Sequence, residues 1–236
     1  MADQDQQKSI EQKLVKNADG RLNNKNPWAD DKLQRKAVAD RLTKILNTVT
    51  QPFVVGLDSQ FGSGKTFFIK RWARQLKNDG ANVVYFNAWE TDFAHDPLMA
   101  FLATLEKDLF AGRLEKEYRD DMRKAAKALW QRISLNIVEQ VTVALVKTDD
   151  VAAVMEAMKP LQSERYDAFK SAQTEIGDFR SKLLQCGKTL READEDDRPI
   201  IIFVDELDRC RPDYAIQVLE IIKHFFNIEN YVLFWR

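Results

Sequence analysis

The chain has 236 residues, with 36 Lys and Arg against 37 Asp and Glu, a formal net charge of −1. At 44% hydrophobic and 31% charged, it fits a globular protein rich in exposed helix, long enough for one domain with an insertion. So even a charge balance does not indicate a globally basic nucleic-acid binder. Two cysteines (Cys186, Cys210) and two histidines (His95, His224) are too few and too scattered for a disulfide framework or a zinc site.

Residues 1–26 are polar and lack an apolar face, so they read as a mobile arm. With no apolar N-terminal segment, a cytoplasmic protein is expected, with no membrane partner. Asn26-Pro27 marks a turn. A helix is predicted from Asp30 to Val49, with Leu33, Ala37, Val38, Leu42, Ile45 and Leu46 as its apolar stripe. It either packs beside a ligand of the following loop or covers the sheet.

A strand is predicted at 53–57, then a glycine-rich turn from Asp58 to Gly64, then a helix from Lys65. Phe68, Ile69, Trp72, Ala73 and Leu76 give that helix its apolar face. Gly56, Gly62 and Gly64 fall in this one segment, where a backbone must approach a ligand closely. Strand, glycine-rich loop, Lys-Thr and helix are the parts of a phosphate-binding loop. Successive N–H groups at a helix N-terminus favour a polyanion, so ATP is the expected ligand, contacted by Ser59, Gln60, Phe61, Gly62, Ser63, Gly64, Lys65, Thr66 and Phe67. Lys65 is expected to reach the β- and γ-phosphates, and the Thr66 hydroxyl to ligate Mg²⁺. The pattern G-x-x-x-x-G-K-[ST] is broken at its first position, where Ser59 stands. An ordinary glycine turn before a helix is the competing reading, and the flanking strand and helix weigh against it.

Asp79-Gly80 closes the loop helix, and a second strand is predicted at 82–86. Asn87, Trp89 and Glu90 follow at its carboxyl end, where open α/β sheets place ligands. Trp89 either faces a ligand or packs. Pro97 opens a helix carrying Leu98, Phe101, Leu102, Leu105 and Leu109.

Residues 112–197 far exceed one crossover and read as a helical insertion between the second and third strands, a candidate surface for self-association or a protein partner. Leu129 to Val146 is interrupted by Arg132 and Glu139, which favours an amphipathic helix over a membrane span. A second helical run is predicted from Leu161 to Ala193, and Glu192 to Asp197 as a solvated loop.

Ile200 to Val204 is an unbroken apolar run, as in a buried parallel strand at 200–204, and it ends in Asp205-Glu206. Asp205 is expected to hold Mg²⁺ through water, and Glu206 to act as the general base on the attacking water. Pro212 opens a helix to about Asn227, and 231–235 reads as a fourth strand. The expected fold is therefore α/β, a three-layer P-loop NTPase core with a parallel sheet. Its segments are the arm (1–26), the first part of the core (27–111), the insertion (112–197) and the second part of the core (198–236).

Four stretches resemble the KAP P-loop NTPases, a group within the ATPases that carry an additional catalytic glutamate: DKLQRKAVADRL at 31–42, GLDSQFGSGKT at 56–66, FNAWE at 86–90 and DELDRCRPDYAIQVLEIIKHFF at 205–226. The resemblance implies ATP and Mg²⁺ binding, ATP hydrolysis and a sheet of order 5-1-4-3-2. Relatives often carry two membrane-spanning helices between the second and third strands, where this chain has a polar insertion. Soluble relatives have bacterial or phage-related roles in signalling or defence. Ser59 departs from the family glycine. The family also continues past the fourth strand with a sensor, a fifth strand and a helical region, so a chain of this length is expected to self-associate and to turn over ATP slowly. An ATPase switch is the leading expectation and a nucleotide-binding module without turnover the second. A small-molecule phosphotransferase is disfavoured, because a water-activating Asp205-Glu206 pair would waste ATP.

Overall fold

The computed structural model describes residues 22–49, 51–60, 62–94, 96–110, 112–129, 151–226 and 228–236, with the backbone alone for 151–169, 172 and 225. Most of the predicted arm, Phe61, His95 and most of the Leu129–Val146 segment lie outside the described residues.

Four strands form one parallel sheet: β1 (Phe53–Gly56), β2 (Val83–Asn87), β3 (Ile200–Asp205) and β4 (Tyr231–Trp235), in the order β1-β4-β3-β2. The order matches the 1-4-3-2 part of the expected sheet. Alternation along the strands builds the layers, because successive side chains point to opposite faces. Ile200, Ile202, Val204, Tyr231 and Leu233 enter one core, while Ile201, Phe203, Val232 and Phe234 enter the other.

The second core is closed by α1 (Lys36–Leu46) and α2 (Lys65–Asn78). Trp72 of α2 sets its ring edge-on to Phe203 at 5.2 Å and Phe234 at 4.9 Å, which fixes the loop helix over the middle of the sheet. The first core is closed by α4 (Pro97–Leu105, continuing in a wider turn to Phe110), by a helix over 116–129 called α5, by α6 (Val151–Asp194) and by α7 (Pro212–Phe225). Phe101 lies 4.9 Å from Phe86 and 4.8 Å from Phe226, tying α4 to β2 and to the end of α7. The short helix α3 (Ala88–Thr91) follows β2 directly.

The structure differs from the sequence expectation at three places. Helix α1 is shorter than Asp30–Val49. Asp31 accepts the N–H of Lys36, Asp30 is taken by Arg71, and Gln34 has φ 53°, so the chain before Arg35 turns rather than winds. The predicted stripe is also rotated: Ala39 and Leu46 are buried, whereas Leu33, Val38 and Ile45 are exposed. Helix α6 starts before Leu161 and runs through Glu192–Asp194, so half of the predicted loop is helix, with Asp194 paired to Arg113 and accepting from Asn82 at 3.0 Å. Among the described residues no helix is long and apolar enough to cross a membrane.

Candidate functional site

The carboxyl ends of β1, β3 and β2 bring three groups of side chains together. The first is the loop after β1. Gly62 (φ 76°) and Gly64 (φ 85°) both adopt the left-handed conformation that glycine takes without strain. Gly64 caps α2, and a Cβ added there would come 2.9 Å from Arg35 Nη1. Arg35 donates to Ser63 O at 2.5 Å and to Gly64 O at 3.1 Å. In a planar trans peptide the C=O and N–H point opposite ways, so the N–H groups of Gly64 and Lys65 are turned away from Arg35. Lys65 Nζ donates to the carbonyls of Ser59 and, at 3.2 Å, Gln60. The loop's own carbonyls therefore hold the ammonium that was expected to reach phosphate. Ser59, which breaks the motif, shares a 2.6 Å hydrogen bond with the Ser63 hydroxyl and closes the loop on itself.

The second group lies between α2 and β3. Asp205 is fully buried. Its Oδ1 accepts from Arg236 Nη1 at 2.8 Å and from the Glu206 N–H at 2.9 Å, and its Oδ2 accepts from the Tyr85 hydroxyl at 2.7 Å. Burial, and then the Asp205 charge, push the Tyr85 phenol well above its ordinary range, so it stays a donor. The same Arg236 nitrogen donates to Thr66 Oγ1. The two predicted metal-binding oxygens therefore converge on one cationic atom. A hydroxyl and a carboxylate in common reach suit a small hard cation completed by water and phosphate oxygens. Among the described residues no cluster of three His, Cys, Asp or Glu offers an alternative metal site.

The third group surrounds Glu206, which has φ 62° and is nearly buried. Its Oε2 accepts from Asn87 Nδ2 at 3.3 Å, and its Oε1 lies 3.4 Å from Arg209 Nη1. The β2–β3 register sets Asn87 opposite Asp205, which is why these side chains meet. Asn87 also caps α3: its Oδ1 accepts the N–H groups of Trp89 and Glu90, and its Nδ2 donates to Glu90 at 2.9 Å. One amide thus orients both glutamates. Trp89 is 52% exposed with Arg209 5.9 Å from its ring centre, so it forms a rim and is not core packing.

Phe67 faces elsewhere, its ring 3.4 Å beneath the Arg71 guanidinium that pairs with Asp30. Beside the loop, a cleft of about 400 Å³ is lined by Arg35, Val38, Leu57, Lys65 and Phe68. Helix α1 therefore borders the loop as well as covering the sheet. Sequence reasoning missed Tyr85, Arg35 and Arg236. Strand alternation could have flagged Tyr85, two residues before Asn87 on one face. Arg35 and Arg236 carry no local signal.

No curated protein matches this chain. The KAP family P-loop domain matches residues 35–234, a span that runs from the arginine clamping the loop to Phe234 in the fourth strand. With the glycine-rich loop, the four-stranded parallel sheet and Asp205 placed as described, the chain belongs to the KAP family of P-loop NTPases.

Proposed function

We propose that this chain binds ATP at the loop Ser59–Thr66 and hydrolyses it, with Glu206 as the general base. The observation that carries this reading is the pairing of Glu206 with Asn87 at 3.3 Å, beside an Asp205 that shares one cationic partner with Thr66. A carboxylate held by one long hydrogen bond from Asn87 and a 3.4 Å ion pair with Arg209 keeps lone pairs for a water proton. The N–H groups of Gly64 and Lys65 supply fixed donors for phosphate oxygens at the start of α2. Lys65 exchanges the carbonyls of Ser59 and Gln60 for phosphate, a stronger partner for an ammonium. Thr66 and Asp205 are the residues that would hold Mg²⁺, which supplies positive charge to the phosphate oxygens. Val38, Leu57 and Phe68 offer apolar walls for the nucleotide base. Asn87 connects the hydrolytic carboxylate to Glu90 and α3, so a change at Glu206 reaches the chain surface and can act as a switch.

A second reading, nucleotide binding without turnover, draws support from the self-held loop and from Arg236 lying between Thr66 and Asp205. Glu206→Gln separates the two. The amide keeps the size of the side chain and cannot take the proton, so ATP affinity is expected to stay and phosphate release to fall by about 10²–10⁴-fold. Equal phosphate release in variant and wild type would remove Glu206 from the reaction. Tight ATP binding by a wild type that releases no phosphate would favour the second reading.

A further inference from the structure

A second cavity, of about 510 Å³, opens beside the outer strand β2, between α2 and the turn that extends α4. Lys70, Arg74 and Lys77 reach it from one face of α2, at the i, i+4, i+7 spacing of a helix, and Lys107 reaches it from the opposite wall. Two carboxylates, Asp108 and Glu90, face these four cations in a chain whose overall charge is −1. Both are already engaged. Asp108 pairs with Lys77 at 3.2 Å and accepts the Tyr85 N–H at 3.1 Å, while Glu90 is held by Asn87. Among the described residues Arg74 and Lys107 make neither an ion pair nor a hydrogen bond. Lys70 lies 5.7 Å from the centre of the Tyr85 ring, which forms part of the floor.

We propose that this cavity is a second anion site, distinct from the loop after β1, and that it takes a small phosphate-bearing anion. A guanidinium and ammonium groups converging from two walls suit a multiply charged, multi-oxygen group better than a single carboxylate. The volume suits a ligand of the size of pyrophosphate or a nucleoside monophosphate. The site borders the nucleotide site without sharing its loop. Tyr85 reaches from this floor to Asp205, and Asn87 from this wall to Glu206.

The test must first weaken the loop, which also attracts phosphate. In the full chain carrying Lys65→Ala, calorimetric titration with pyrophosphate and, separately, with AMP is expected to give saturable binding. Adding Arg74→Gln and Lys107→Gln is expected to weaken it by at least about tenfold, the loss of one charge-assisted hydrogen bond. Both side chains lie in the cavity wall without structural partners, so the fold should survive, and an unchanged circular dichroism spectrum checks that. Lys107→Glu alone is the companion variant and is expected to weaken binding in the same direction. Absence of saturable binding in the Lys65→Ala chain would overturn the site, as would affinity unchanged by the Arg74 and Lys107 substitutions. With Lys65 intact, the Arg74→Gln/Lys107→Gln chain is expected to bind ATP as the wild type does, so failure of the nucleotide site and failure of this one read out separately.

Discussion

Arg236 and Asp205 form a buried ion pair: Nη1 stands 2.8 Å from Oδ1, with the aspartate side chain fully buried and the arginine only 7% exposed. The same nitrogen bonds Thr66, so the guanidinium lies between the two oxygens that would hold a metal. Two cations cannot share that position. On the proposed function, nucleotide with Mg²⁺ is therefore expected to displace this arginine, and the arginine to lower apparent Mg²⁺ affinity.

Arg236→Ala is expected to leave Asp205 buried without its cation, at a cost of about 3–5 kcal/mol when Mg²⁺ is absent. Added Mg²⁺ should then raise the melting temperature of the variant more than that of the wild type. Thermal unfolding against MgCl₂ concentration checks this, and parallel curves for the two proteins would count against a shared cation position.

Lys65→Ala is expected to fold normally, because its ammonium contacts only two loop carbonyls and leaves no buried partner charge behind. ATP affinity should fall by about 10- to 100-fold, the worth of one charged hydrogen bond to phosphate. Equilibrium binding of a fluorescent ATP analogue measures it.

Asn87→Asp tests the link between the two glutamates. The aspartate oxygen can still cap α3, but the donor that held Glu206 and Glu90 becomes a like charge. ATP binding should persist while turnover falls, because Glu206 loses the donor that orients it and faces a like charge instead. Turnover equal to the wild type would sever Asn87 from Glu206.

Three aspartates predict the acid behaviour. Hydrogen bonds from Lys36, Arg211 and Arg198 hold Asp40, Asp92 and Asp196, respectively, below the ordinary value of 3.8. A depressed carboxylate stabilises the fold above its unfolded value, and that contribution disappears as pH drops through the lower folded value. Asp196→Asn should therefore lower the melting temperature near neutrality, with the gap to wild type closing below pH 3.8. A gap that stayed constant to pH 2 would show that the Asp196–Arg198 pair does not depend on ionisation.

The parts that could be read from sequence are those whose cause is local. Ile200–Val204 is a continuous apolar run because both faces of β3 are buried, and Gly62 and Gly64 mark positions that need left-handed backbone. The helix after Lys65 was legible from its apolar spacing: four of the five selected residues, Ile69, Trp72, Ala73 and Leu76, are buried, Phe68 is half-buried, and the spacing did not pick out the buried Arg71. What escaped depends on register and on distant partners. Tyr85 meets Asp205 across 120 positions, Arg35 meets Gly64 across 29 and Arg236 meets Asp205 across 31. The rotated stripe of α1 escaped for a related reason. Val38 borders the cleft beside the loop, so an apolar residue there is not evidence of core.

The pairing of Arg113 with Asp194 carries a consequence for how such a chain can change over time. These residues stand 81 positions apart, yet their side chains touch, and Asn82 bonds to both at the base of β2. Both ends of the stretch between them still belong to the core: Met122, Ala126 and Leu129 on one side, and Phe179, Leu183 and Leu190 on the other, are buried in it. Those ends are a fixed base, held shut by the Arg113–Asp194 clasp. Lengthening the connection beyond that base costs little, because closure entropy grows only with the logarithm of loop length. Among relatives built on this core, diversity should therefore gather between Leu129 and Ile176, and an insertion placed there should leave the nucleotide site intact.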